Sequence, residues 1–239
     1  MPPQLLPPDF DALLCEAVRA FWSNRVSALS TAQAGARGQV ISGGNLNGFL
    51  SLARAVLAHI GLPAASVFTN KGRTALPGYF RATKRWDLLV VHEGRLLAAL
   101  ELKSQVGSFG NNQNNRVEEA LGVATDLWAA SREGLLDPRP PFLGWLMVLE
   151  DAPASRCRVS VEEPHHKVSP LFVGASYAER YRLLCERLLS ERLYQGAALV
   201  LSDSAEGAAS GAHRALSAPT SAEAMFAALA AHVLAQLPR

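Results

Sequence analysis

Residues 86–104 read WDLLVVHEGRLLAALELKS. Two apolar runs flank Glu93-Gly94, a turn signal, and this predicts a β-hairpin with strands over 86–92 and 95–104. Side chains alternate faces along a strand, so Glu101 and Lys103 share one face while Leu100 and Leu102 turn the other way, into the core. A two-residue loop sets Asp87 opposite Leu100. A three-residue loop that takes in Arg95 sets it opposite Glu101. In either register the two carboxylates converge within about one cross-strand spacing. Converging carboxylates repel, and one pKa rises unless a cation lies between them. A hard, oxygen-liganded ion such as Mg²⁺ suits that position, bound by one or two carboxylates, water and phosphate. Lys103 then stands beside the ion, where it can orient an attacking water or stabilise charge on phosphorus. The competing reading is a partly solvated ion pair at a strand end, which is common and weak. Three charges at the ends of two otherwise apolar strands tell against it.

The flanks add the vocabulary of DNA recognition. After the second strand come Asn111, Asn112, Gln113, Asn114, Asn115 and Arg116. Side-chain amides pair bidentately with adenine and arginine with guanine. The stretch reads as a loop ending at Asn115. The alternative is that its asparagines only make turns. Before the first strand, residues 71–86 read as a basic loop with Lys71, Arg73, Arg81, Lys84 and Arg85 and no acid. That composition fits a phosphate clamp, with Lys84 and Arg85 foremost, because phosphate contacts supply position and much of the affinity. A solvated charged loop is the alternative. Tyr79 and Phe80 either pack on sugar or anchor this loop.

Elsewhere the pattern alternates helix and strand. Helices are predicted from Asp9 or Asp11 through residue 29, over 48–60, over 116–134, over 176–193 and over 220–237 with a Thr/Ser cap. Strands are predicted over 64–70, over 142–151 (buried on both faces) and over 196–203. A Gly-rich break lies at 35–48, residues 160–170 are irregular, and the Ala/Ser/Gly-rich 204–221 reads as a surface loop. Glu118 and Glu119 are expected at a helix start, where acids suit the dipole. Glu16 is read as solvent-facing and His165-His166 as loop residues. The order predicts an α/β fold, a mixed central sheet flanked by helices.

Composition narrows the class. With 49% hydrophobic and 18% charged residues in a chain of 239, a sizeable core is available and bulk disorder is excluded. A net charge of +2 means that any nucleic-acid surface must be local. Cys15, Cys157 and Cys185 are odd in number and widely spaced, and are expected as reduced, mostly buried thiols in a cytoplasmic protein. The opening MPPQLLPPDF has no signal-peptide pattern, and no apolar run is long enough for a membrane span.

Asp, then strand-turn-strand, then Glu-x-Lys is the pattern of the PD-(D/E)XK nucleases. More specifically, PGYFRATKRWDLLVV (77–91), ELKSQVGSFGNNQNNRVEEALG (101–122), LGWLMVLED (143–151), ASYAERYRLLCERL (175–188) and AVRAFW (17–22) resemble the XhoI-type type II restriction endonuclease family, in order along nearly the whole chain. Relative to that family, the stretch after ELKSQVG lacks a proline and carries Gln113 in place of an aromatic. The resemblance implies one restriction-endonuclease-like domain over 1–239, with a mainly helical part at 1–70, a catalytic core at 71–203 and a C-terminal loop and helix at 204–239. It implies a Mg²⁺-dependent homodimer that cuts double-stranded DNA at the palindrome CTCGAG, leaves 5′-phosphate ends, and works beside a cognate DNA methyltransferase. Asp87 and Glu101 are then metal ligands, Leu102 offers its backbone carbonyl, and Lys103 is the catalytic lysine. A structure-specific or repair nuclease with the same metal site, and a non-cutting DNA-binding module, are the rival readings.

Overall fold

The computed structural model describes residues 4–33, 45–70 and 72–237. Its elements run α1 (Phe10–Gln33), α2 (Asn47–His59), β1 (Val67–Phe68), β2 (Ala75–Pro77), β3 (Thr83–Arg85), β4 (Leu88–His92), β5 (Arg95–Gln105), α3 (Phe109–Arg132), β6 (Phe142–Glu150), α4 (Pro153–Arg156), α5 (Tyr177–Ser190), β7 (Gly196–Ser202), α6 (Ser204–Ser210) and α7 (Ala222–Leu234). The main sheet has the order β1-β4-β5-β6-β7. β1, β4 and β5 are antiparallel, whereas β5, β6 and β7 are parallel. A mixed α/β sheet flanked by helices results, as the sequence pattern predicts. Parallel neighbours need long crossovers, and α3 and α5 provide them.

Alternation along the strands feeds two cores. Leu88, Val90, Leu100, Leu102, Leu146, Val148, Ala198 and Val200 pack under α1, α2 and α7. Leu89, Ala99, Trp145, Met147, Leu149 and Leu199 pack under α3 and α5. Both faces are covered, which is why 142–149 reads as an unbroken apolar run. The parity puts Glu101 and Lys103 on the α3/α5 side.

The hairpin realises both candidate registers. Next to the turn, His92 faces Arg95 and Val91 faces Leu96; beyond a bulge, Val90 faces Ala98 and Leu88 faces Leu100. Leu97 is the extra residue. It and Ala98 both reach the α1/α2/α7 core, as a bulge that rotates the strand requires. Continued past Leu88, the shifted register sets Asp87 against Glu101.

Three expected loops are ordered elements. Residues 75–85 form a small antiparallel hairpin, with Ala75 opposite Arg85 and Pro77 opposite Thr83. The amide stretch is the first part of α3. Ser108 takes a left-handed φ of 44°, and Phe109 turns inward, stacking on Tyr177 with ring centroids 6.0 Å apart. Asparagine is a poor helix former, yet burial of Phe109 and Gln113 holds the turn. Asn112 Nδ2 donates to Ser108 O at 3.2 Å, one turn back. Residues 204–210 are helix α6, capped by Asp203 Oδ1, which accepts from the amides of Ala205 and Glu206. A side chain at Gly207 would meet Trp22 at 2.4 Å and one at Gly211 would meet the Cys15 backbone at 2.1 Å, so this segment lies tightly on α1. Residues 204–210 are thus a helix packed on α1 through Gly207, while 211–217 remain irregular, as expected of a loop.

The remaining expectations divide. α5 opens with a reciprocal cap between Ser176 and Glu179, and α7 with Ser221. Glu16 is exposed, and His165 and His166 lie in an exposed irregular stretch. Of the cysteines only Cys185 is buried; Cys15 is intermediate and Cys157 exposed. Among the described residues no helix is long and apolar enough to cross a membrane. The break at 35–48 lies largely outside the described residues, as does Lys71.

Candidate active site

Asp87 stands where β4 begins, and its backbone N–H donates to Leu100 O at 3.2 Å. Its side chain then takes the place of the next strand residue, and Oδ2 accepts the Leu102 amide at 2.7 Å. The antiparallel ladder is thus prolonged by a carboxylate. A residue in such a ladder sends its N–H and C=O to the same neighbour, so the Leu102 carbonyl faces the same edge.

Glu101 is the centre of the cluster. It is 6% exposed and bridges two ammonium groups. Lys103 Nζ lies 2.7 Å from Oε1 and Lys84 Nζ lies 2.8 Å from Oε2. Lys84 comes from β3, with its Nζ 4.6 Å from the Trp86 ring centroid and donating to Arg85 O at 3.1 Å. From α3, Glu119 reaches Lys103 Nζ at 3.6 Å and is itself held by Arg116 at 2.6 Å. Signs alternate from Lys84 through Glu101, Lys103 and Glu119 to Arg116.

Burial raises the pKa of Asp87 above the ordinary carboxylate value, and the neighbouring Glu101 charge adds to it. The Leu102 amide, Lys103 and Lys84 pull it back only in part. Burial works against the charge on Lys103, but Glu101, with help from Glu119 and Asp87, outweighs it and lifts this pKa too. A buried carboxylate of raised pKa beside a firmly protonated lysine forms the electrostatic pattern expected of a reactive centre.

The donor set suits a hard cation without enclosing it. Asp87, Glu101 and the Leu102 carbonyl are all oxygen donors. Among the described residues no group of three or more His, Cys, Asp or Glu could hold a metal alone. Water and a bound phosphate would have to complete the shell, which is how Mg²⁺ is usually held.

The predicted DNA-facing residues separate into three groups. Lys84 and Arg116 join the carboxylate cluster. Arg73 and Arg81 are engaged within the chain, the first over the Phe68 ring at 4.3 Å and the second with Asp126 at 2.8 Å. Arg85, Asn111, Asn114 and Asn115 are exposed and Asn112 is half-buried. Gln113 differs: it is 7% exposed and turns toward the α3/α5 core side, an inward helical position rather than a loop amide. Glu118 and Glu119 lie well inside α3, so they are not first-turn acids.

Two residues escaped the sequence reading. Glu119 is expected only as a first-turn acid; α3 begins at Phe109 instead, and Glu119, inside the helix, reaches Lys103. Asp126 is a 2% exposed acid within the apolar row Val123, Leu127 and Ala130. An acid among those positions was the available signal, because such a group must have buried partners.

Known proteins align with this arrangement. The family model described as "Restriction endonuclease XhoI" matches residues 27–213, which contain every member of the cluster. The type II restriction enzyme BstVI of Geobacillus stearothermophilus is 51% identical over 180 residues, 72% of this chain and 80% of that protein. The type II restriction enzyme XhoI of Xanthomonas vasicola is 48% identical over 189 residues, 76% of each chain. The type II restriction enzyme AbrI of Azospirillum brasilense is 46% identical over 170 residues, 67% of this chain and 76% of that protein. No solved structure matches the chain.

Proposed function

The chain belongs to the XhoI restriction endonuclease family, a type II site-specific deoxyribonuclease acting on double-stranded DNA, and from that membership we propose that Asp87, Glu101 and Lys103 form its cutting centre. One observation carries the assignment. Two carboxylates converge at the mouth of β4 and β5 with Lys103 Nζ 2.7 Å from Glu101, on strands that are otherwise apolar.

In this reading Mg²⁺, when bound, polarises a phosphate oxygen and lowers the pKa of a bound water. Asp87, Glu101 and the Leu102 carbonyl supply the protein oxygens. The Leu102 amide fixes the Asp87 carboxylate. Lys103, held between Glu101 and Glu119, orients the attacking water and offsets charge growing on phosphorus. Lys84 neutralises Glu101 in the metal-free protein and turns to a DNA phosphate when the site fills. Arg85 adds a phosphate contact. Asn111, Asn112, Asn114, Asn115 and Arg116 lie on the first turns of α3, where the exposed amides can reach base edges. Gln113 shapes the helix from inside. Arg73 and Arg81 complete the basic surface around the hairpin, and Lys71, which precedes it in the sequence, is a further candidate for phosphate contact.

The substrate is taken to be the palindrome CTCGAG, as the family resemblance implies, cut to leave 5′-phosphates and 3′-hydroxyls by a homodimer whose two-fold axis matches that of the site. A cytoplasmic enzyme of this kind would cut its host unless the same site were modified, so a cognate methyltransferase is its partner. Residues 1–239 act as one domain.

Digestion of a plasmid with a single CTCGAG, in Mg²⁺ and in EDTA, tests this, with the ends sequenced. A metal-dependent cut at that site alone is expected. A metal-dependent cut elsewhere would move the specificity while keeping the chemistry. Binding without any cut would overturn the cutting centre.

A further inference from the structure

The β2–β3 hairpin ends in Gly78-Tyr79-Phe80-Arg81, and its two rings face solvent. Tyr79 is 51% and Phe80 69% exposed, and they meet edge to face with centroids 4.9 Å apart. Soluble proteins rarely hold paired aromatics outward without a use for them.

Here the exposure is built in. The backbone amides of Tyr79 and Phe80 both donate to Asp126 Oδ1 at 2.8 Å. Arg81 Nε lies 2.8 Å from Asp126 Oδ2. A side chain at Gly78 would come within 2.7 Å of that same oxygen and of Arg81 O, so only glycine lets the turn close on the carboxylate. Three consecutive positions, Tyr79, Phe80 and Arg81, are therefore fastened to one buried acid of α3, with Gly78 packed closely against it. The turn is held in place, and the two rings pair with each other at the surface.

The surroundings select the partner. Residues 72–86 carry Arg73, Arg81, Lys84 and Arg85 and no acid. The strand after the tip leads through Lys84 and Trp86 to Asp87. At about 3.3 Å per residue the tip stands no more than roughly 23 Å from the carboxylate cluster, a span of at most about seven base pairs along a duplex. A second copy of the same cationic tip would be repelled across a two-fold axis, whereas a polyanion is attracted. Proteins that combine cations on phosphate with an apolar side chain between base steps unstack and bend the duplex.

We propose that the Tyr79-Phe80 tip is a wedge that enters duplex DNA beside the scissile phosphate and unstacks one base step, with Phe80 as the inserted ring. The proposal rests on the nuclease reading for its orientation on DNA. Its test separates the two. The full-length protein is bound, in EDTA, to duplexes containing the sequence it cuts, with 2-aminopurine placed in turn at each position within and flanking the site. Wild type should raise the fluorescence several-fold at one step. Phe80→Ala should abolish that rise and bind more weakly, Phe80→Leu should keep part of it, and Asp87→Ala should keep all of it while losing cleavage. Phe80 is exposed, so these variants fold, and thermal melting checks that they do. A wild-type complex with no enhancement at any position would overturn the wedge while leaving the nuclease intact. So would an enhancement that survives in Phe80→Ala, or a Phe80→Ala protein that sediments differently but binds DNA unchanged. Failure of wild type to bind any duplex would overturn both readings.

Discussion

Two hairpins follow one another in this chain, and each inverts the usual division of residues. β4–β5 buries charge: Glu101 sits inside with an ammonium on each oxygen. β2–β3 exposes aromatic surface: Tyr79 and Phe80 face water above a buried carboxylate that never leaves the interior. Both arrangements run against burial energetics, since an unpaired buried charge and an exposed Phe are each unfavourable. In both, a dense set of charge-assisted hydrogen bonds offsets the penalty. On the proposed reading, the departures from the hydrophobic rule cluster where the molecule would meet DNA, one hairpin supplying chemistry and the other a contact surface.

The largest expected effect is on chemistry. Lys103→Ala should lower the single-turnover cleavage rate by about 10²–10⁴-fold, the range for a positioned proton-transfer or charge-stabilising group, with DNA affinity in EDTA nearly unchanged. A variant that cut at the wild-type rate would place the chemistry outside the β4–β5 hairpin. Next comes the brace. Asp126→Ala leaves two amides and Arg81 without their acceptor. Because Arg81 is partly solvated, the loss in urea-unfolding stability should be about 2–4 kcal/mol, the lower part of the range for a broken buried pair. An unchanged midpoint would show that the tip needs no support.

A smaller effect is expected where the two hairpins touch. Lys84→Met removes an ammonium from Glu101, and calorimetric titration of the DNA-free protein with Ca²⁺ should then give affinity tighter by about an order of magnitude. Equal or weaker binding would mean that Lys84 does not compete for the carboxylate.

The smallest effect concerns pH. The folded pKa of Asp87 is raised, chiefly by burial and then by Glu101. The native state therefore holds that proton more tightly than the unfolded chain. Stability from this group is present below the unfolded pKa of about 4 and is lost as pH rises through the folded value. Asp87→Asn should accordingly be inactive but slightly more heat-stable at neutral pH, with the difference vanishing at acid pH. An Asn variant less stable than wild type at neutral pH would contradict the strained carboxylate. Lys103 shifts upward, so its contribution holds throughout the neutral range and is lost only above the ordinary lysine value.

Much of the β4–β5 hairpin was legible in advance. Glu101 and Lys103 share a face because strand alternation is local, and the apolar runs left no other place for a turn than Glu93-Gly94. The β2–β3 hairpin was not legible. Its strands are three residues each, too short for a periodic signal, and its brace lies on a helix about 45 residues further on. The amide stretch misled for a related reason. Asparagine favours turns, and nothing nearby announces that Tyr177 will stack on Phe109 and draw the helix start forward.

What the sequence by itself determined is the set of faces. Periods of two and of 3.6 residues follow from backbone geometry alone, so the order of the main-sheet strands and the long helices, the inward leucines and the convergence of Asp87 with Glu101 could be read from spacing. Tertiary structure alone decided the rest. The bulge at Leu97 selects the register beyond the turn, Glu119 reaches Lys103 from α3, Lys84 settles on Glu101, and Asp126 fastens the aromatic tip. These contacts join residues on different elements. Their geometry comes from how those elements pack in three dimensions, which no local pattern in the chain encodes.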